Sequence, residues 1–387
     1  MAHHNTVTTQ IPAAKGTEPA RILGTDAVDH PGRVFFLHLE PHSSNQCQTL
    51  AIAQGLRREK WDARIVCRQS CRLAERAEAL GLKVHTLPDE GAGTLLMLWK
   101  LFRIMRAQKG DVTPSLVHAC DPSASRLASF SWRLNKRLRV VHTRRVPIME
   151  PDYKAMRCYQ VPQAKVITDS LAGKIALRLS GLESHLLHTI PCGIDSSEYP
   201  IHRDRHDGRF IYAVTGEFMP QRGHAEIIAA APILEGFTAL PPWEIRVLGE
   251  GPHLGVILEE ALSKGADRHL AFLSGLDTAD AMTVCDALVL PAAEGESYLP
   301  RILEGWAAEM PVVTINRLDH AEILQDGVNC LLVQPGDIQG LAGAMQRVAV
   351  EPVLRKRLVE GGRASLEKFS LSALIAGHRR LYREVLA

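Results

Sequence analysis

The stretch that decides the fold runs from residue 287 to residue 304 and reads ALVLPAAEGESYLPRILE. Its first four residues are apolar, which is typical of a strand buried on both faces of a parallel sheet. A polar loop follows, and Pro300 suits the first position of a helix. The stretch therefore predicts a strand, a loop and a helix, with Glu296 in the loop and Glu304 about one turn into the helix.

The same alternation of short apolar runs and longer helical patterns extends to both sides of this unit. We predict strands at residues 34–37, 63–66, 83–86, 115–118, 139–142, 165–168, 210–214, 244–248, 271–273, 287–290, 312–315 and 331–333. Such alternation indicates βαβ units and parallel sheets. Residues 196–209 are polar without an apolar period, so we take them as a linker between two domains.

The predicted fold class is therefore α/β, with two Rossmann-like domains that face each other across a cleft. The first domain spans residues 31–195 and the second spans residues 210–370, while residues 371–387 form an amphipathic terminal helix. Residues 1–30 are a polar leader that we expect to be disordered. In such sheets ligands bind beyond the carboxyl ends of the strands, so the loops there are the candidate sites.

Composition narrows the class of protein. At 387 residues the chain exceeds what one hydrophobic core usually supports. Basic side chains number 45 and acidic ones 43, so the formal charge of +2 predicts no nucleic-acid partner. No apolar run is long enough to span a membrane, and we expect a cytoplasmic protein. The eight cysteines are scattered, which favours buried free thiols over a zinc site.

Four segments together resemble the glycosyltransferases of family 4, which have the GT-B fold. Residues 296–313 (ESYLPRILEGWAAEMPVV) are similar to the family's EGFGLPxxEAxAxGxPVV. Residues 190–195 (IPCGID) are similar to IPNGVD, residues 248–252 (LGEGP) to VGDGP, and residues 326–337 (DGVNCLLVQPGD) to DGxNGLLVxPGD. The segments stand in the family's order, and the resemblance covers most of residues 34–387.

The resemblance implies a retaining glycosyltransferase of cell-surface glycan biosynthesis, such as that of polysaccharide or lipopolysaccharide. Its donor would be a UDP- or GDP-linked nucleotide sugar, and its acceptor a saccharide or a lipid-linked glycan. No cofactor and no bound metal are implied, and the chain has no Asp-x-Asp motif in a candidate donor loop. The second domain would bind the donor, the first would face the acceptor, and the terminal helix would cross back to the first domain.

The predicted donor site lies at the start of the helix after residue 299. Free backbone N–H groups and the positive end of the helix dipole suit a diphosphate there. Glu296 and Glu304 would accept hydrogen bonds from hydroxyls of the transferred sugar and of the ribose. The predicted donor-binding residues are Gly216, Arg222, Glu250, Glu296, Ser297, Tyr298, Leu299 and Glu304.

One position departs from the family pattern. Residues 215–224 resemble a segment whose Arg and Lys neutralise the diphosphate, and Arg222 keeps the second charge, but Glu217 stands in place of the first. A carboxylate there would repel the diphosphate, so either Glu217 points away or another cation substitutes. We predict Arg145 as that cation, since residues 144–146 resemble the Arg-Arg-Val of some bacterial surface-polysaccharide members. The alternative is a solvated Arg pair at a strand end.

Two further predictions concern the first domain. His118 closes a predicted strand and would touch donor or acceptor, with a structural histidine as the alternative. The acceptor side would comprise His42, Ser43, Ser44 and Asn45, where relatives have a glycine-rich loop that this chain lacks. The predicted catalytic residues are therefore Arg222, Glu296, Arg145 and His118. No covalent nucleophile is identified, and the family implies a front-face substitution.

The helical pattern at residues 95–106 combines apolar bulk with Lys100, Arg103 and Arg106. Such a helix can lie on an anionic membrane, which predicts a peripheral contact at the inner face of the cell membrane. The alternative is a helix that covers the sheet and carries a basic rim.

Two rival functions stay open. A nucleotide-sugar epimerase of the same architecture would act on the donor alone, without an acceptor. A non-catalytic nucleotide-sugar-binding pseudoenzyme would fit Glu217 and the missing glycine loop. A dehydrogenase is disfavoured because no Gly-x-Gly-x-x-Gly follows the first strand of either domain.

Overall fold

A computed structural model of the protein describes residues 31–40, 45–89, 91, 93–106, 113–145, 156–199, 208–219, 222–291, 298–317 and 320–387. Several predictions fall outside these residues. They concern the leader, most of the linker, the acceptor-side residues His42, Ser43 and Ser44 together with the side chain of Asn45, and the donor residues Glu296 and Ser297.

The first domain is built on a parallel sheet in the order β3-β2-β1-β4-β5-β6-β7. Its strands are β1 (Arg33–His38), β2 (Asp62–Arg68), β3 (Lys83–Leu87), β4 (Ser115–Ala119), β5 (Arg139–Thr143), β6 (Lys165–Thr168) and β7 (Leu187–Thr189). The first six agree with the predicted strands. The edge strand β7 was not predicted, because three residues that include His188 and Thr189 carry no recognisable strand pattern.

Helices cover both faces of this sheet. They are α1 (Asn45–Arg58), α2 (Leu73–Ala79), α3 (Thr94–Arg106), α4 (Pro122–Leu134) and α5 (Leu171–Leu179). Because strand residues alternate in direction, Phe36 packs with α1 and α2, whereas Phe35 packs with α3 and α4 on the opposite face. The last helix, α5, packs through Leu177 against Val166 on the face that α3 and α4 cover.

The second domain repeats the plan with a parallel sheet in the order β10-β9-β8-β11-β12-β13. Its strands are β8 (Phe210–Thr215), β9 (Trp243–Leu248), β10 (Leu270–Leu273), β11 (Ala287–Leu290), β12 (Val312–Ile315) and β13 (Leu331–Val333). Its helices are α6 (His224–Glu235), α7 (Leu254–Ser263), α8 (Thr278–Met282), α9 (Leu299–Ala307), α10 (Ile338–Val350) and α11 (Pro352–Leu366). All four residues of β11 are buried, as the opening stretch predicts.

The chain then returns to the first domain in α12 (Leu371–Leu386). The Ser370 side chain caps this helix by accepting a hydrogen bond from the Ala373 N–H. Leu381 and Tyr382 are buried in the same cluster as Phe36 of β1. Because α12 follows the second domain in the chain and packs against the first sheet, it connects the two domains. Within the described ranges, no helix has the length and apolar character needed to cross a membrane.

Candidate functional site

The candidate site lies between the domains, beyond the carboxyl ends of β8 and β11. A cavity of about 130 Å³ there is lined by four of the predicted donor residues, Gly216, Arg222, Tyr298 and Glu304. Residues of α1, among them Gln48, close it from the first domain. The structure therefore brings residue 48 of the first domain together with residues 216–304 of the second, at the place where α/β sheets bind ligands.

A second cavity of about 580 Å³ adjoins the first, and Gly216 lines both. Glu250 lines this larger space and forms an ion pair with Arg72 of the first domain, so the predicted donor residue links the domains. The two loops approach closely, because a Cβ atom on Gly249 would lie 1.8 Å from the carbonyl oxygen of Gly216. Only glycine fits at position 249 without moving that backbone.

The start of α9 is open toward the first cavity. Tyr298 occupies the N-cap position, and its side chain does not cap the first turn. The helix begins at Leu299, one residue before the predicted start at Pro300. Both Tyr298 and Leu299 are buried, whereas Pro300 and Arg301 line the cavity. The positive end of the helix dipole favours an anion at this end.

Tyr298 lies at the centre of a group of guanidinium side chains. Its hydroxyl donates a hydrogen bond to the backbone carbonyl of Arg222 over 3.2 Å, and the Arg317 guanidinium lies 5.8 Å from its ring centroid. Burial raises the pKa of the Tyr298 phenol to about 12, although the charges of Arg222, Arg317 and Arg301 act in the opposite direction. The phenol is therefore neutral and holds the β8–α6 loop against α9.

Glu217 faces the site. Its carboxylate accepts a hydrogen bond from the Arg222 guanidinium at 3.1 Å, and both side chains are largely buried. The alternative in which Glu217 points away is therefore wrong. The Glu217 carboxylate neutralises the positive charge of Arg222 that a diphosphate would need. A second cation is therefore needed at the site.

Sequence reasoning missed Arg301, which lines both cavities beside Tyr298 and Glu304. Its guanidinium donates to both carboxylate oxygens of Glu304, at 2.8 and 3.0 Å. The nearby Glu304 carboxylate raises the pKa of Arg301 above its usual range, so the guanidinium stays charged. Arg301 and Glu304 are three positions apart on a predicted helix, and this spacing could have indicated that the two side chains pair.

Arg145 is not where the prediction put it. The side chain is buried, and it lies near His378 and Tyr382 of α12, where its charge contributes to lowering the pKa of the imidazole and opposes the rise in that of the phenol. It lines neither of the two cavities. The reason is that α12 covers the end of β5, so a residue after this strand is enclosed in the first domain instead of facing the second.

The contacts of His118 favour the structural alternative. Its Nδ1 atom lies 2.6 Å from the Tyr382 hydroxyl, and its Nε2 atom lies 2.7 Å from the Thr143 hydroxyl. Burial lowers the pKa of the imidazole well below its usual value. Because both ring nitrogens have protein partners and the ring is enclosed, His118 holds α12 on the sheet and does not touch either cavity.

On the acceptor side, the described contacts begin just after the predicted residues. Asn45 is the first residue of α1. The Gln48 amide exchanges two hydrogen bonds with the backbone of Gly193, donating to the carbonyl at 2.9 Å and accepting from the N–H at 3.1 Å. This pair fixes the start of α1 against the segment that leads to the linker, and so sets one wall of the smaller cavity.

Comparison with known proteins agrees with this architecture. Residues 48–198 match the family model described as Glycosyltransferase Family 4, and residues 209–350 match Glycosyl transferases group 1. The fold is similar to that of HepE from Anabaena, crystallised with UDP and glucose, with a TM-score of 0.78 at 17% identity over 91% of this chain and 100% of HepE. It is also similar to the glycosyltransferase WaaG, with a TM-score of 0.67 at 14% identity over 90% of this chain and 99% of WaaG. These likenesses confirm the predicted GT-B fold.

Two curated relatives match part of the chain. The lipopolysaccharide core biosynthesis glycosyltransferase LpsE of Rhizobium meliloti is 28% identical over 168 residues, 43% of this chain and 47% of LpsE. The phosphatidyl-myo-inositol mannosyltransferase of Mycobacterium leprae is 29% identical over 173 residues, 43% of this chain and 44% of that enzyme. The chain thus spans about half the length of these relatives. With the two family models covering most of its length, the chain belongs to glycosyltransferase family 4, the glycosyl transferases group 1.

Proposed function

We propose that the chain is a retaining glycosyltransferase that moves a sugar from a nucleotide sugar to a saccharide or lipid-linked acceptor in cell-surface glycan biosynthesis. The observation that carries the proposal is the cavity at the start of α9, which gathers Gly216, Arg222, Tyr298 and Glu304. Its fold neighbour HepE was crystallised with UDP, and its relative LpsE acts in lipopolysaccharide core biosynthesis, which supports a UDP-linked donor and a surface glycan.

In this proposal the donor spans the two cavities. The diphosphate lies at the start of α9, where N–H groups and Arg222 meet it. The ribose hydroxyls donate to Glu304, and the base enters the larger cavity beside residues 248–252. Glu296 would contact the transferred sugar, as the sequence predicts, and it lies outside the described residues.

Charge on the leaving group is the main electrostatic demand of the reaction. The acceptor oxygen bonds to the anomeric carbon as the bond from that carbon to the diphosphate oxygen breaks, and the electron pair leaves with the diphosphate. On the same face of the sugar, the acceptor proton moves to a phosphate oxygen. Arg222 and Arg301 would stabilise the developing charge, so in this proposal guanidinium groups do the work without a metal or a cofactor.

In this proposal Arg301 thus takes the role that was predicted for Arg145. It lines both cavities, whereas Arg145 is enclosed in the first domain. Each cation is balanced by a carboxylate in the absence of donor, Glu217 for Arg222 and Glu304 for Arg301. The ribose of a bound donor would contact Glu304, and its diphosphate would contact both guanidinium groups. The ion pairs between arginine and glutamate would thereby be replaced by ion pairs between arginine and phosphate.

Removing the charge of Glu217 is expected to strengthen donor binding. In the Glu217→Gln variant Arg222 loses the competing carboxylate of Glu217, and loss of this ion pair of about 1 kcal/mol lowers the donor KM about fivefold. Initial rates at increasing donor concentration measure the change. Glu244→Gln is the matched control, because Glu244 also pairs with arginines but lies at the amino-terminal end of β9. An unchanged or higher KM in Glu217→Gln would contradict this account of the pair.

We also propose that the chain works in the cytoplasm, in peripheral contact with the inner face of the cell membrane. The support comes from α3, which buries Leu98 and Leu101 on the sheet but leaves Leu95 and Trp99 exposed. A lipid-linked acceptor would be presented at that surface.

Turnover is tested by incubating the protein with UDP- and GDP-sugars and with a glycan or lipid extract, followed by mass spectrometry. A glycosyltransferase releases nucleoside diphosphate and adds one sugar mass to an acceptor. An epimerase would instead convert the nucleotide sugar to an isomer without any acceptor. Donor binding with neither product would support the non-catalytic alternative and contradict the proposal.

A further inference from the structure

Three helices on one face of the first sheet contain no acidic residue. They are α3, α4 and α5, and together they carry seven lysines and arginines. The helix α7 of the second domain differs, because its exposed Val256 and Leu262 stand beside Glu259 and Glu260. These three described helices are therefore basic, although the chain as a whole is nearly neutral.

Each of the three helices also exposes a row of side chains at four-residue intervals, which places each row on one helix face. The rows are Leu95, Trp99 and Arg103 on α3; Arg126, Phe130 and Leu134 on α4; and Leu171, Ile175 and Leu179 on α5. The exposed fractions reach 79% for Leu95 and 76% for Leu179. The opposite faces bury Leu101, Leu127 and Leu177 against the sheet, so the rows point outward.

Apolar side chains among cations, on helices that themselves contain no acidic residue, suit the surface of an anionic bilayer. Leucine, isoleucine and phenylalanine can enter the boundary of the acyl chains, while Arg103, Arg133, Lys174 and Arg178 meet lipid phosphates. On α3 the Arg103 guanidinium lies 5.2 Å from the Trp99 ring, a pairing of an aromatic ring and a cation that fits the headgroup level.

We propose that the outer faces of α3, α4 and α5 form one continuous surface that binds an anionic lipid membrane. This proposal extends the membrane contact from α3 alone to all three helices. The negative charge of the lipid headgroups is then what the surface recognises. Membrane binding by this surface needs neither donor nor catalysis, so it stands or falls separately from glycosyl transfer.

Because this surface lies close to the cleft, it could also present the acceptor to the enzyme, an inference that rests on the proposed function. Both α3 and α5 begin at the carboxyl edge of the strands, the edge that faces the second domain. The Leu171 N–H of α5 donates a hydrogen bond to the Glu322 carboxylate of the second domain at 2.7 Å. The basic layer therefore reaches the mouth of the cleft, so a lipid-linked acceptor could enter it while its lipid stays in the bilayer.

Vesicle co-sedimentation of the full chain tests the proposal. The vesicles are phosphatidylcholine alone or phosphatidylcholine with about one-third phosphatidylglycerol, in about 50 mM or 500 mM NaCl. We expect binding to the anionic vesicles at low salt, weaker binding at high salt and little binding to phosphatidylcholine alone. In Lys174→Gln/Arg178→Gln on α5, and in Arg126→Gln/Arg133→Gln on α4, two lost cations weaken binding about thirtyfold. Ile175→Gln/Leu179→Gln removes the apolar part and weakens it as well.

Matched controls come from the second domain. Leu262→Gln on α7 and Lys356→Gln on α11 change side chains of similar exposure and should bind vesicles like the parent chain. All the substitutions are on the surface, and circular dichroism melting checks that each variant is folded. Failure of the parent chain to bind anionic vesicles at low salt would overturn the proposal. Unchanged vesicle binding of the α4 and α5 variants would also overturn it. The same holds if size-exclusion chromatography shows a dimer of the parent chain that these variants no longer form.

Discussion

Replacing Arg222 with alanine is expected to lower kcat/KM for the nucleotide sugar by about two to three orders of magnitude, because it removes a preorganised donor at the leaving diphosphate. Arg301→Ala should cause a loss of the same order, since both guanidinium groups line the cavity at the start of α9. Most of the loss should fall on kcat, because the charge on the diphosphate grows as the glycosidic bond breaks. Release of nucleoside diphosphate under saturating acceptor measures both constants.

Three comparisons make this result specific. Arg347→Ala removes an arginine that also pairs with a glutamate, Glu351, but lies on α10 away from the cleft, so its kinetics should match those of the parent chain. Arg222→Ala/Glu217→Gln separates the lost cation from the unpaired carboxylate that the single variant leaves behind. Arg145→Ala should leave the donor KM unchanged if the protein stays folded. A kcat/KM within threefold of the parent value in Arg301→Ala would contradict its proposed role.

Acid should destabilise the fold strongly, starting near pH 6.5. Burial lowers the pKa of His38, His142 and His378 to about 3 and lowers that of His118 as well. Between pH 6.5 and about 3, the unfolded chain therefore binds protons at these sites that the folded chain does not. Stability is present above the unfolded pKa and is lost as the pH falls. The free energy of unfolding should decrease by about 1.4 kcal/mol per pH unit for each histidine.

Four such sites would remove the roughly 5–15 kcal/mol of stability of a typical protein between about pH 5.6 and about pH 3.8. Asp121 acts in the opposite sense, because burial raises the pKa of its carboxyl, but it is one group against four. Urea unfolding at pH 7.5, 6.5 and 5.5 measures the slope. His378→Gln should reduce the slope by one proton. A free energy of unfolding that is constant over this range would rule out the explanation.

The sequence was a good guide where one physical rule dominates. Twelve strands could be placed because each is an apolar run that ends at a turn, and the parallel arrangement follows from the helices between them. The convergence of three predicted site residues on one cavity could be predicted for a similar reason. Gly216, Tyr298 and Glu304 lie at the ends of strands or at the start of a helix, and the sheet topology brings such positions together.

Prediction failed where the outcome depends on contacts between distant parts of the chain. His118 lies near the end of β4 and Arg145 just after β5, and both strand ends should face the cleft. However, α12, more than 200 residues later, covers both residues. The local sequence around either residue does not indicate that α12 packs over it. The direction of the Glu217 carboxylate and the position of Arg301 depend on side-chain pairing, which spacing alone does not determine.

Binding of a nucleoside diphosphate at the start of α9 can be measured by thermal denaturation with a panel of nucleotides. We expect UDP or GDP, and the matching nucleotide sugar, to raise the Tm of the parent chain. At a hundredfold excess over Kd the stabilisation is about 2.7 kcal/mol. The shift should be largely lost in Arg222→Ala and kept in Arg347→Ala. If no nucleotide raises the Tm, or if Arg222→Ala is stabilised as much as the parent chain, the donor site is not where this account puts it.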